Sequence, residues 1–261
     1  MRSGVSDAGA RSHARPPVLV LSGIGLTAGV ALRMSAVLES SFRVLAALAT
    51  VDDALAVLDG AGAERAHVVG LSFGGAIAQE IAIGHPERVR SLVLASSTAG
   101  GERYLPAERP IRDFLGRLAE LPAEEGLWAS VPYLYVAATC RRHAPLIGED
   151  IARRLTRPLD PRSYDRQHAV ARAHDAASRL AGIAAPTLVL HGEEDRILPV
   201  DNGRRLADGI AGAQFVPVPG GAHAFPTDVP GATRELVSFL LAHSRRRAGS
   251  AARRTGRATR A

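Results

Sequence analysis

The chain has 261 residues, is 46% hydrophobic and carries a formal net charge of +6. That length and apolar content suffice for one well-packed domain and exclude an intrinsically disordered protein. A single cysteine, Cys140, excludes an internal disulfide framework and a cysteine-based zinc cluster, and it fits a reducing cytoplasm.

The charge is unevenly placed. Residues 245–261 hold seven arginines and no acid, so residues 1–244 sum to −1. The body is near neutral, and the Ala-, Gly-, Ser- and Thr-rich tail reads as disordered. Every basic residue is arginine, and no aromatic residue interleaves with the tail's charge, so no nucleic-acid partner is expected. No apolar run is long enough to span a membrane, and no membrane partner is expected.

Residues 1–16 are polar and read as a flexible N-terminus. Arg11 and Arg15 precede "VLVLSGIGLTAGVAL", which has features of a signal peptide. Gly23, Gly25 and Gly29 interrupt that run, and a buried strand followed by a glycine-rich turn explains it better. The predicted strands are then Pro17–Ser22, Phe42–Ala46, Ala66–Leu71, Val89–Ser96, Pro186–Gly192 and Ala213–Gly220. Continuous apolar runs of this kind mark strands covered on both faces, hence a parallel sheet. Helical patterns alternate with them at Gly29–Ser40, Val51–Asp59, Gly75–Ile83, Asp201–Ile210 and Ala232–Ala242. The alternation predicts a doubly wound, mostly parallel α/β architecture. Between residues 100 and 182 the pattern turns helical, which predicts an inserted helical cap above the strands' carboxyl ends. The core is thus expected over 17–99 and 183–244.

Ser72 sits in "HVVGLSFGGAIAQE", between a predicted strand and a predicted helix. A G-x-S-x-G match alone carries little weight in a chain with 26 glycines. Its address carries more, because a sharp strand-to-helix turn lifts the hydroxyl clear and flanking glycines relieve the crowding. A serine nucleophile needs a base and a group that orients the base. His223 lies in the turn-rich "PGGAHAF" after the last predicted strand. Asp195 lies in "LVLHGEEDRILP" after the preceding one, with Glu193 and Glu194 as neighbouring alternatives. The remaining histidines, His67, His85, His168, His174, His191 and His243 among them, read as surface or packing residues. Trp128, Tyr133 and Tyr135 fit either the cap's own core or an apolar pocket. Arg141–His143 fits a solvated helix end or an attractor of acidic substrates.

The elbow "GLSFGG", the acid loop "HGEEDRILP" and the histidine loop "GGAHAF" occur together in the order Ser, Asp, His. From about Pro17 to Ala242 the chain resembles the α/β-hydrolase fold superfamily. Within it the resemblance is nearest to small esterases, 3-oxoadipate enol-lactonases and cofactor-free haloperoxidases. The resemblance implies a serine hydrolase acting on a small ester or lactone, with Ser72, His223 and Asp195 as the triad. It implies the backbone N–H groups of Ile24 and Phe73 as the oxyanion hole, and neither cofactor nor metal. Acyl transfer, thioester cleavage or C–C hydrolysis would use the same residues, and a non-catalytic binding scaffold is the reading from another class. Two departures from the family stand out. Residues 1–15 are too polar to supply its first two strands, and the loop that usually follows the "FRVLA" strand is absent. Ser22 also stands where many relatives have histidine.

Overall fold

The structure is a computed structural model that describes residues 15–25, 32–47, 50–156 and 161–244. Among them six parallel strands form one sheet in the order β2-β1-β3-β4-β5-β6. The strands are β1 (Pro17–Leu21), β2 (Arg43–Ala47), β3 (Ala66–Leu71), β4 (Val89–Ala95), β5 (Thr187–Gly192) and β6 (Gln214–Val218). Successive side chains of a strand point to opposite faces, so one apolar run feeds two cores. Leu19, Val68, Leu92 and Val189 join the core on one face. Helices α2 (Val51–Gly60), α3 (Phe73–Gly84) and α9 (Asp201–Asp208) cover that face with Leu58, Ile77, Ile81 and Leu206. On the other face Val18, Val20, Val69, Val93 and Leu190 meet α1 (Leu32–Glu39), α10 (Phe225–Asp228) and α11 (Ala232–Ala242). The contacting side chains there include Leu38, Phe225, Leu236 and Leu240. Two covered faces are the reason the strands read as unbroken apolar stretches.

The helix expected from Gly75 begins two residues earlier, at Phe73. The chain turns only at Ser72, whose φ of 54° and ψ of −119° allow helical geometry to start at the next residue. The predicted helix at 29–40 is described from Leu32 to Glu39, and its first residues lie outside the described set. So do residues 1–14 of the expected flexible N-terminus and the whole Arg-rich tail.

Between β4 and β5 the chain forms α4 (Arg109–Arg117), α5 (Ala123–Leu134), α6 (Ala137–Arg142), α7 (Ala144–Thr156) and α8 (Pro161–Ala173). Tyr135, Ile147 and Ile151 form this insertion's own small core, with Ala224 of the main body packed against it. The two chain segments that enter and leave the insertion pair at Gly100 and Asp175. Arg179 clamps Glu80 of α3 beside them with two bonds, at 2.6 and 2.7 Å. That guanidinium holds the Glu80 carboxyl below the usual carboxylate range. No described helix is long and apolar enough to cross a membrane.

The strand order reverses about β1, because the chain leaves β1 for β2 on one side and returns to β3 on the other. Open α/β sheets bind ligands at such a switch point, outside the strands' carboxyl ends. The β1 and β3 ends carry Ile24 and Ser72, respectively.

Candidate active site

Ser72 caps β3 in a left-handed conformation that L-residues rarely adopt, and its neighbours hold it there. Its N–H donates to the Ala95 carbonyl at 2.8 Å, and the Ser97 hydroxyl donates to its carbonyl at 2.9 Å. The flanking glycines leave room for the turn. A Cβ on Gly70 would meet the Gly74 carbonyl oxygen and stand 2.6 Å from the Gly75 Cα. A Cβ on Gly74 would strike the carbonyls of Leu21 and Ser22, so the head of α3 lies directly against the end of β1.

The Ser72 hydroxyl lies 3.0 Å from Nε2 of His223, and Nδ1 of the same ring lies 2.8 Å from Oδ2 of Asp195. Asp195 and His223 are buried and Ser72 is partly open. A carboxylate can only accept, so Nδ1 carries the ring proton and Nε2 is left to accept from the serine hydroxyl. The structure therefore brings together the three residues read from the two distant loops and the elbow. Glu193 and Glu194 are exposed, and their backbone N–H groups donate to Val218 and Gly221, which fastens the acid loop to the histidine loop.

Burial alone would raise the Asp195 carboxyl. The charge and hydrogen bonds of His223 and His191 outweigh it and hold the group well below the usual carboxylate range. Oδ1 accepts the N–H groups of Ile197 and Leu198 at 2.9 and 2.8 Å. His191 Nε2 donates to the Leu198 carbonyl at 2.8 Å and lies 3.3 Å from Oδ2. That contact was not foreseen from sequence, where His191 reads as packing. A signal existed in its place four residues before the acid, at the end of the same strand.

Two supports of His223 have no local sequence signal. Ser96, in a left-handed conformation at the end of β4, donates its hydroxyl to the His223 carbonyl at 3.0 Å. Asp228 accepts the Ala222 N–H on Oδ2 at 2.8 Å and the Val136 N–H on Oδ1 at 3.2 Å. The Ala224 N–H donates to the Leu134 carbonyl at 2.8 Å. The histidine loop is thus fastened to the insertion on both sides of His223.

Phe73 opens α3, where the first N–H groups of a helix have no partner within it. Neither its N–H nor that of Ile24 has a hydrogen-bond acceptor among the described residues. Of the insertion's aromatic residues, Tyr135 is buried in its core and Trp128 is exposed. Tyr133 stacks on Phe114 with Arg196 over its ring, which places it beside the acid loop. Arg141–His143 is exposed at the end of α6. Among the described residues no group of three or more His, Cys, Asp or Glu side chains is arranged to hold a metal ion.

A family model described as the alpha/beta hydrolase fold matches residues 31–229. A protein of Variovorax paradoxus strain S110 that carries the name carbamate hydrolase RutD is 30% identical over 246 residues, covering 85% of this chain and 91% of that protein. A hydrolase from Pseudomonas aeruginosa PA01 superposes with a TM-score of 0.74 at 27% identity, covering 87% of this chain and 90% of that one. The enol-lactonase from Burkholderia xenovorans LB400 superposes with a TM-score of 0.75 at 22% identity over 87% and 92% of the two chains, a likeness of fold.

Proposed function

The chain belongs to the α/β-hydrolase fold family, and from that premise we propose that it is a serine hydrolase cleaving a small carboxylic ester or lactone. The observation that carries this reading is the unbroken run of hydrogen bonds from Ser72 through His223 to Asp195. In the proposed reaction His223 Nε2 takes the Ser72 proton as Oγ attacks the substrate carbonyl. The carboxylate of Asp195 holds the imidazole in the reactive tautomer and stabilises the imidazolium. Negative charge develops on the carbonyl oxygen and is met by the N–H groups of Phe73 and Ile24, each worth about 10²–10³ in rate. His223 then gives its proton to the leaving group. Water, activated by the same ring, releases the acyl group from Ser72.

The site is proposed to lie under the helical insertion, which acts as a cap. A small-molecule partner is the expected ligand. The named relative from Variovorax supports a second reading, cleavage of a carbamate. Attack on a carbamate carbonyl would use the same nucleophile, base and donors, and differs in the group expelled.

The test is labelling by a fluorophosphonate, which reacts with activated serines. Wild type is expected to label and Ser72→Ala to remain unlabelled. Initial rates on short p-nitrophenyl esters and on N-aryl carbamates then rank the two substrate classes. A folded wild type that neither labels nor turns over any of them is a binding scaffold rather than a hydrolase.

A further inference from the structure

A buried side-chain amide ties the insertion to the loop that follows β1. Gln167 of α8 is 2% exposed, and its Oε1 accepts the backbone N–H of Gly25 at 3.0 Å. Gly25 has a φ of +75°, and the Tyr164 ring stands 3.4 Å from the place a Cβ there would occupy. Residues three apart share one helix face, so α8 presents the amide and the ring to the same stretch of backbone.

The Gly25 N–H belongs to the same rigid peptide unit as the Ile24 carbonyl. Holding that unit anchors Ile24 on its carbonyl side while its side chain packs against the core, and Ile24 carries one of the two N–H groups assigned to the oxyanion. Only residues 48–50 separate β2 from α2, and among the described residues the one side-chain hydrogen bond to the Gly25 N–H comes from the insertion. We propose that Gln167 is a positioning residue that aims the Ile24 N–H at the developing oxyanion, so that the hole is complete only with the insertion seated. This rests on the serine-hydrolase reading above.

Three consequences follow for catalysis. Gln167 touches no reacting atom, so its loss leaves ground-state binding intact. It acts through one of two donors, so the loss is smaller than removal of a donor, about ten- to a hundredfold in kcat. A wedge that lifts α8 would slow the chemistry without touching Ser72, His223 or Asp195.

The experiment compares wild type with Gln167→Met, which keeps the length of the side chain and removes the acceptor. Gln167→Ala serves where the Met variant does not fold. Each folded variant is assayed for kcat and KM on a p-nitrophenyl ester. Its affinity is then measured for a trifluoromethyl ketone, which forms an oxyanion on Ser72, and for the matching secondary alcohol, which does not. The expected result is a fall of about ten- to a hundredfold in kcat at near-constant KM, with a parallel loss of affinity for the ketone alone. Wild-type kcat and ketone affinity in a folded variant overturn the proposal. So does an equal loss for ketone and alcohol, which marks a general loosening. A wild type inert to fluorophosphonate and to all esters is a different failure, that of the hydrolase reading, and removes this proposal with it.

Discussion

His191 and Asp195 stand four residues apart, both fully buried, with His191 Nε2 3.3 Å from Asp195 Oδ2. With three donors, His223 and the N–H groups of Ile197 and Leu198, and the His191 ring beside them, the carboxylate is enclosed on all sides by polar hydrogens. A buried charge so enclosed is stable, and a buried neutral acid in its place would leave donors unmatched. The enclosure therefore holds the carboxyl well below the usual carboxylate range.

Replacing Asp195 with Asn keeps the shape and reverses one hydrogen-bonding group. The amide oxygen can still accept from Ile197 and Leu198, which leaves NH₂ facing His223 Nδ1. The ring is then pushed to the tautomer that cannot accept the Ser72 proton. Asp195→Asn is expected to lower kcat on a p-nitrophenyl ester by about 10³–10⁴, with a native far-UV spectrum. A folded variant within tenfold of wild type contradicts the role given to Asp195.

Asp228 fastens the histidine loop to the insertion through two backbone N–H groups. Asp228→Ala leaves both without an acceptor, a loss of about 1–3 kcal/mol each where water cannot replace it. The expected outcome is a lower melting temperature together with a kcat reduced about ten- to a hundredfold, because small displacements of the base are costly. Unchanged kinetics in the variant would show that the loop holds itself.

Gly74 lies against the carbonyls of Leu21 and Ser22, backbone atoms that cannot swing aside. Gly74→Ala should force α3 away from β1, destabilising the protein by about 1–3 kcal/mol and disturbing the elbow. Urea unfolding measures the first effect and fluorophosphonate labelling rate the second. An Ala variant with wild-type stability would mean the packing is looser than these contacts indicate.

His67 gives a pH prediction far from the site. Its Nδ1 lies 2.7 Å from Ser91 Oγ and its Nε2 lies 3.0 Å from Ser244 Oγ, at the opposite end of the sheet from Ser72. Burial first, then Arg90, His243 and Arg65, lowers its pKa to about 3. The unfolded chain binds that proton near pH 6.5, so between about pH 6.5 and 3 the unfolded state holds more protons. The contribution is complete above pH 6.5 and is lost as pH falls through this window, by about 2 kcal/mol at pH 5. Urea unfolding at pH 7 and pH 5 should show this slope, and His67→Gln should flatten it. An equal slope in the variant assigns the acid sensitivity elsewhere.

The sheet and the three site residues are legible in the sequence for one physical reason, that each is encoded over a short stretch. A strand buried on both faces must be apolar throughout, as "AHVVGL" is, and an elbow needs glycines at fixed distances from its serine. The inserted helices show the same local periodicity. Apart from His191, the supports of the site leave no such trace. Gln167 reaches Gly25 across 142 residues, and Ser96 reaches His223 across 127. A single polar side chain meeting a distant backbone group has no period, and nothing near Gln167 distinguishes it from a solvated glutamine on a polar helix. Only the three-dimensional path of the chain reveals which polar residues are enclosed.

Ser72 and Ser96 end neighbouring strands, and they are the two non-glycine residues with positive φ among those described, at 54° and 44°. Such a conformation costs on the order of 1–3 kcal/mol, a cost glycine largely escapes. Glycine at position 72 should therefore raise the melting point by a few degrees. There it would remove the proposed nucleophile, whereas at position 96 it would free the buried carbonyl of His223, a loss of about 1–3 kcal/mol that offsets the relief. Heat resistance and the proposed chemistry thus pull in opposite directions at position 72.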